Sequence, residues 1–259
     1  MNGVRHIHNT DQCHLLIIDY FSDDIKSAIR ARLCEICYGL QILQPGSMYT
    51  NYQLTIKDFL DRYDKKTTKQ KKGIIGELLT HVLVRYYLDN LEPASILFNK
   101  EERSMRKGFD LIFLEPEHPK VWYSEVKSGQ PAATDTSSSK SLDLLQTARA
   151  DITDKFTNAP SSVWLSAVVD SNLTVSENVR PMLQKLLEAD APAKRPDDFS
   201  AAAILVSVVY ASPTDEINYD DLSNYFFAAY DEELFSDLII VSIQKETIMK
   251  VVNFLRSET

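Results

Sequence analysis

The chain has 259 residues, 44% of them apolar and 25% charged, which is the composition of a folded domain and excludes wholesale disorder or a fibrous repeat. Its 28 Lys and Arg against 37 Asp and Glu leave a formal net charge of −9. That excludes a globally basic nucleic-acid coat, though not a local basic patch. Three cysteines are too few for a disulfide framework and fit a reducing compartment. No apolar run approaches the ~18 residues of a membrane span, and the N-terminus lacks an apolar signal-peptide core, so a cytoplasmic protein without membrane contact is expected.

In chain order, the short β-branched run at 15–18 reads as a strand. A helix over 23–40 follows, with Ile25, Ile29, Leu33, Ile36 and Leu40 at helical spacing and Ser22 as its cap. Pro45-Gly46 marks a turn, and 56–63 reads as a second helix. Residues 62–72 carry six Lys or Arg against one Asp and read as an exposed basic linker. Ile74, Ile75, Leu78, Leu79, Val82 and Leu83 then outline a broad apolar helix face, with Glu77 and His81 one turn apart beside it.

Strands are expected at 96–98, 109–114 and 121–126, the last two forming a hairpin across the proline-punctuated 115–119. The Ser/Thr-rich stretch 134–141 reads as a loop before a helix at 142–156. Buried strands are expected at 163–169, 203–210 and 238–243, and helices near 178–189 and 245–256. This order predicts an α/β or α+β fold. Residues 1–65 are expected to form an N-terminal accessory segment packed on a main domain of 66–259.

The chemistry concentrates in 73–129. Asp110 lies on one apolar strand, and Glu125 and Lys127 on the next. Period-2 alternation puts Glu125 and Lys127 on the same side of the sheet, and a hairpin lays Asp110 against them. Two carboxylates and an ammonium in an apolar sheet are costly without a partner. Mg²⁺ or Mn²⁺ fits that role, since hard oxygens and few protein carboxylates suit such an ion, with waters and phosphate completing its shell. Asp110 and Glu125 are the candidate metal ligands, Lys127 orients or helps deprotonate the attacking water, and Glu77 supports the metal. A structural ion-pair cluster at the same positions is the competing reading.

The series Glu77 on a helix, Asp110 on a strand, then Glu125-Val126-Lys127 resembles the PD-(D/E)xK, restriction-endonuclease-like superfamily, with Phe109 where the motif name has Pro. The runs GIIGELLTHVLV, RKGFDLIF and VWYSEVKSG more narrowly resemble the HamA family, the nuclease subunit of Hachiman anti-phage systems. The resemblance implies an αβββαβ core with a mixed sheet flanked by helices. It also implies Mg²⁺-dependent phosphodiester hydrolysis of DNA and a helicase partner, HamB.

Lys66, Lys69 and Lys72 precede the Glu77 helix, and Lys107 precedes the Asp110 strand. They are candidates for phosphate contact; a solvated loop explains them equally. Lys140 and Gln146, just beyond the second strand, are weaker candidates. Region 215–237 carries eight acidic residues, and no Lys or Arg occurs from 211 to 244. It either faces a basic partner or simply solvates the domain. Cys34-x-x-Cys37 with Cys13, His6, His8 or His14 invites a zinc reading, but ordinary helix cysteines explain it better. No nucleotide-binding loop appears. Two functions remain: a metal-dependent DNA nuclease, and a catalytically silent nuclease-fold module that bridges a partner and nucleic acid.

Overall fold

The valine- and isoleucine-rich runs form the middle of one sheet. In the computed structural model, which describes residues 1–43, 51–98, 108–192, 199–246 and 248–259, β6 (Ala202–Tyr210) is buried at all nine positions and β7 (Asp237–Lys245) at all but its first. Such continuous burial is the mark of a strand covered on both faces. The other strands are β1 (Val4–Thr10), β2 (Cys13–Ile18), β3 (Glu92–Pro93), β4 (Leu111–Glu115) and β5 (Lys120–Gly129). The seven-stranded order is β1-β2-β7-β6-β5-β4-β3. The contacts β2/β7, β7/β6 and β6/β5 are parallel, and β1/β2, β5/β4 and β4/β3 are antiparallel. Residues 1–18 thus supply two strands to the same sheet that carries β5.

Helices α1 (Asp23–Tyr38), α2 (Tyr52–Asp64), α3 (Thr68–Tyr87) and α8 (Met249–Ser257) pack one apolar face with the even-numbered residues of β2 and β6. Helices α4 (Ser137–Asn158), α5 (Ser162–Thr174), α6 (Arg180–Asp190) and α7 (Tyr219–Asp231) pack the other. Helices therefore cover both sides of a mixed sheet, the expected α/β class. The run α3-β3-β4-β5-α4, continued to β6 after α5 and α6, reproduces the αβββαβ order.

Several elements differ from the sequence reading. Residues 62–72 are not a linker: α2 reaches Asp64, and α3 starts at Thr68 behind a capping box in which Thr67 and Gln70 satisfy each other's backbone N–H groups. Lys69 and Lys72 therefore sit in the first turns of α3. Residues 134–141 are mostly helix for the same reason, because Thr136 caps α4 by accepting from the Ser139 N–H at 3.1 Å. The stretch 163–169 is helix α5, not a strand. Its buried positions 163, 164, 167, 171 and 174 follow a 3.6-residue period that the β-branched composition hides. Residues 96–98 form no strand. The N–H groups of Leu97 and Phe98 instead donate to the carbonyls of Ile36 and Cys37 at the end of α1, and the short strand lies earlier, at Glu92–Pro93. The last helix begins at Met249, since Lys245 still belongs to β7. Strand β1 and helix α7 were not expected. The Pro45-Gly46 turn lies outside the described residues.

A network of three buried hydroxyls fixes α4 to the sheet: Ser141 meets Ser207 and Ser242 at 2.8 and 2.7 Å, and those two meet at 2.7 Å. On the opposite face, Gly76 lets α3 press on β5. A Cβ there would lie 2.0 Å from Ser128 Oγ and 3.2 Å from Ser128 Cβ. Gly76→Ala is expected to cost roughly 1–3 kcal/mol by overpacking, with partial recovery when Ser128→Ala is added. Urea unfolding of both variants measures it.

Lys245 is an unusual core residue, 1% exposed with its ammonium 5.1 Å from the Phe21 ring. Burial, reinforced by Lys250 and opposed by Glu246, pushes its pKa down to about 8. The unfolded chain holds that proton more tightly, so stability rises with pH from about 8 to the ordinary lysine range. Lys245→Met is expected to add about 1–3 kcal/mol at neutral pH and to flatten that rise. Urea midpoints measured at pH 7, 8.5 and 10 test it.

Candidate active site

The site forms where β4 meets β5. Register pairs Leu111 with Ser124, so Asp110, one residue before β4 begins, comes level with Glu125. Its Oδ2 accepts the Val126 N–H at 2.9 Å. Along β5, Trp122 and Val126 enter the α3 side of the core, and Val121 and Tyr123 the α4 side. Glu125 and Lys127 share the parity of Tyr123 and project toward α4. They meet directly, with Lys127 Nζ donating to Glu125 Oε1 at 2.6 Å.

Helix α4 adds two residues that the sequence reading did not single out. Lys155 donates to Glu125 Oε2, and Asp151 Oδ2 lies 2.8 Å from Lys127 Nζ. The Glu125 side chain is only 3% exposed, and both its oxygens are held by ammonium groups. The signal for Asp151 and Lys155 was an i, i+4 pair flanking the buried Ala148, Ile152 and Phe156. The 30-residue separation from Glu125 concealed its destination.

Phe109, the residue before Asp110, is an anchor. Its ring lies 4.4 Å from Tyr123, 5.4 Å from Trp164 and 5.9 Å from Phe156, with Lys155 Nζ at 5.8 Å. The aromatic floor holds the strand entry that presents Asp110.

The electrostatics follow from crowding. Burial, then the neighbouring Glu125 charge, push Asp110 up to about 6, although Lys155, Lys127 and the Val126 N–H pull the other way. Glu77, projecting from α3, is pushed well above the carboxylate range by burial first and by Asp110 and Glu125 next. Burial alone would lower Lys127, but Glu125 and Asp151 outweigh it and raise its pKa. Asp110, Glu125 and Asp151 thus face the ammonium groups of Lys127 and Lys155, with Glu77 beside them held toward its neutral form. Asp110 and Glu125 carry hard oxygen donors of the kind a divalent cation takes, with both Glu125 oxygens accepting from lysines in this structure. His81, one turn along α3, does not join the site. It is buried, neither ring nitrogen has a hydrogen-bond partner, and burial pushes its pKa down to about 4.

Of the basic candidates, Lys72 donates to Gln130 Oε1 at 2.8 Å, just past the end of β5. Lys140 approaches Gly129 from α4, its Cε 2.9 Å from where a Cβ would lie, while its Nζ pairs with Asp143 at 2.6 Å. Lys72 and Lys140 thus flank the exit of β5 from two helices. Lys66, just before α3, and Lys69, in its first turn, are exposed. Gln146 is turned toward α7, where Tyr225 donates to it at 3.4 Å, and is not part of this group. Lys107 lies outside the described residues. In the acidic 215–237 region, Glu216 pairs with Arg5, Glu232 with Arg149 and Asp237 with Lys120, so part of that charge is answered within the chain.

Helices on both faces of a mixed sheet, with an acid–acid–lysine cluster near the carboxyl end of one parallel strand, define an α/β protein with its polar centre where open sheets place ligand sites. A family model described as HamA matches residues 3–258, nearly the whole chain, and the chain belongs to the HamA family. Membership assigns it a role connected with Hachiman anti-phage defence. No curated protein matches the chain. No helix among the described residues is long and apolar enough to cross a membrane.

Proposed function

We propose that this chain is a metal-dependent deoxyribonuclease, the effector of its defence system, acting with the helicase HamB. The observation that carries the reading is the Asp110 carboxylate, held by the Val126 N–H beside the buried Glu125 and Lys127. When bound, Mg²⁺ or Mn²⁺ supplies Lewis-acid polarisation of the scissile phosphate and charge for the leaving oxygen. Asp110 and Glu125 would hold the ion, with Glu77 as the neighbouring acid that would hydrogen-bond a water beside it. Lys127, restrained by Glu125 and Asp151, acts as a hydrogen-bond donor that orients water or phosphate. Lys155 keeps Glu125 in place. Lys66, Lys69, Lys72 and Lys140 supply the phosphate-binding charge near the exit of β5. The overall net charge of −9 disfavours tight DNA binding by this chain alone, so loading falls to the partner. A reducing cytoplasm as its place of action agrees with its free cysteines.

A second reading has one observation in its favour: both Glu125 oxygens are already neutralised by lysines, as in a metal-free binding module. The deciding experiment is DNA cleavage by the purified chain with its partner, in Mg²⁺ and in EDTA, for wild type and Asp110→Asn. Metal-dependent cleavage lost in the variant supports the nuclease. Defence retained by the variant supports the module.

A further inference from the structure

A second polar cluster lies away from the carboxylates, on the β1–β2 hairpin. Strand β1 carries His6 and His8 and β2 carries His14, all on the face that packs toward the end of α3. Among the described residues this is the one trio of His, Cys, Asp or Glu side chains whose ligand atoms all lie within 4.8 Å of one another. The rings gather with centroids 4.3, 5.2 and 5.6 Å apart, and Tyr87 closes over His6 at 4.6 Å.

The hydrogen bonds fix the chemistry of each nitrogen. His14 Nε2 lies 3.0 Å from the Asp11 carbonyl, which can only accept, so Nε2 carries the proton. His14 Nδ1 then has a free lone pair, and it faces His6 Nε2 at 3.0 Å. A backbone carbonyl that fixes the tautomer of a ring whose other nitrogen looks into a cluster is the usual outer support of a metal-binding histidine. In a tetrahedral zinc site, Zn–N bonds of about 2.0–2.1 Å put ligand nitrogens about 3.3 Å apart, close to the observed separation. His14 is buried, His6 half-buried and His8 exposed, so two ligands stand in a fixed wall and the third closes from solvent. Burial and mutual repulsion push His6 down to about 4 and lower His14 as well, which keeps these rings neutral, the form that binds metals.

We infer that His6, His8 and His14 form a binding site for a borderline transition metal of the zinc class, with a fourth position open to water. Imidazole nitrogens select Zn²⁺, Co²⁺, Ni²⁺ or Cu²⁺ over Mg²⁺, so this site and the carboxylate cluster take different ions. Metal entry needs only that His6 shift its proton from Nε2 to Nδ1, after which both facing nitrogens donate lone pairs. The ion ties β1 to β2 beside the register shift between Ile7 and Thr10, at the edge of the sheet that the described residues form.

The test is Co²⁺ titration of the untagged full-length protein, read by the visible d–d absorption of tetrahedral cobalt, with Zn²⁺ competition and thermal unfolding alongside. One equivalent of Co²⁺ should give the band, Zn²⁺ should remove it, and Zn²⁺ should raise Tm. Losing an outer hydrogen-bond partner already costs about 10–100-fold in metal affinity. His8→Ala, an exposed change that leaves circular dichroism unaltered, should therefore weaken binding at least tenfold, and His6→Asn likewise. Asp110→Asn should keep the band, which separates this site from the carboxylates. No band with the wild type, binding only at millimolar metal, or a band that survives His6→Asn with His8→Ala would overturn the inference.

Discussion

Asp110→Asn is expected to cut Mg²⁺-dependent DNA cleavage by orders of magnitude while leaving the fold as stable as before or more so. The two effects have separate origins. Asparagine keeps an oxygen to accept the Val126 N–H at the position Asp110 uses. It removes the negative charge that burial and Glu125 render costly, seen in the rise of that carboxyl to about 6. Removing an unfavourable charge near neutral pH should stabilise the metal-free protein by about 1 kcal/mol. The same substitution replaces an anionic ligand with a neutral, weaker one. Several kcal/mol of metal-derived stabilisation is at stake, and each 1.36 kcal/mol is tenfold in rate, so the loss should reach roughly 10²–10³-fold. Cleavage rate and urea midpoint, measured on one preparation, give opposite signs for function and stability. A residue retained only for architecture would raise the midpoint with no loss of cleavage or protection.

That contrast also explains which parts of the site were legible in the sequence. Asp110, Glu125 and Lys127 violate the apolar pattern of their own strands, and the violation is local: alternation alone fixes the face that Glu125 and Lys127 share. The β4–β5 hairpin supplies the pairing within a few residues. Glu77 was visible because it stands beside a broad apolar helix face and next to Gly76, whose contact with Ser128 explains the missing side chain. Lys155 and Asp151 were hidden because they obey every local rule. They are charged residues on the flank of an amphipathic helix, and only the packing of α4 across the sheet, where Ser141 meets Ser207 of β6 and Ser242 of β7, brings them to Glu125. The histidines were visible as letters, yet their convergence depended on β1. Its polar sequence, VRHIHNT, gives no apolar alternation to mark an edge strand.

Short apolar runs are ambiguous between strand and helix, and at 163–169 the spacing of the buried positions is a better guide than β-branched composition. Helix α7 was masked by its own acidity, although Leu222, Phe226 and Ala229 recur at helical spacing and Asn218 accepts from the Asp220 N–H at 2.7 Å to cap it. Capping residues, more than lysine or serine content, decided where α3 and α4 begin.

Glu125→Ala should show how much stability the cluster draws from a single carboxylate. The side chain is 3% exposed and is the shared acceptor of Lys127 and Lys155. Lys127 keeps Asp151 at 2.8 Å, but Lys155 is left over the Phe109 ring with 16% of its side chain exposed. Removing one partner of a buried ion pair leaves an uncompensated charge and costs about 3–5 kcal/mol, on the order of 10 °C in Tm for a chain of this size. The cost should belong to the stranded ammonium more than to the lost contact. Adding Lys155→Met in the Glu125→Ala background should therefore recover at least about 1 kcal/mol, whereas Lys155→Met alone should destabilise the wild type. That sign reversal is a coupling energy, and the double-mutant cycle measures it directly. Cleavage should stay absent in the double variant even as stability returns, because the restored packing brings back no oxygen for the metal. A double variant no more stable than Glu125→Ala would mean that Lys155 escapes to solvent when released, and that burial of the pair is not what makes Glu125 costly to lose.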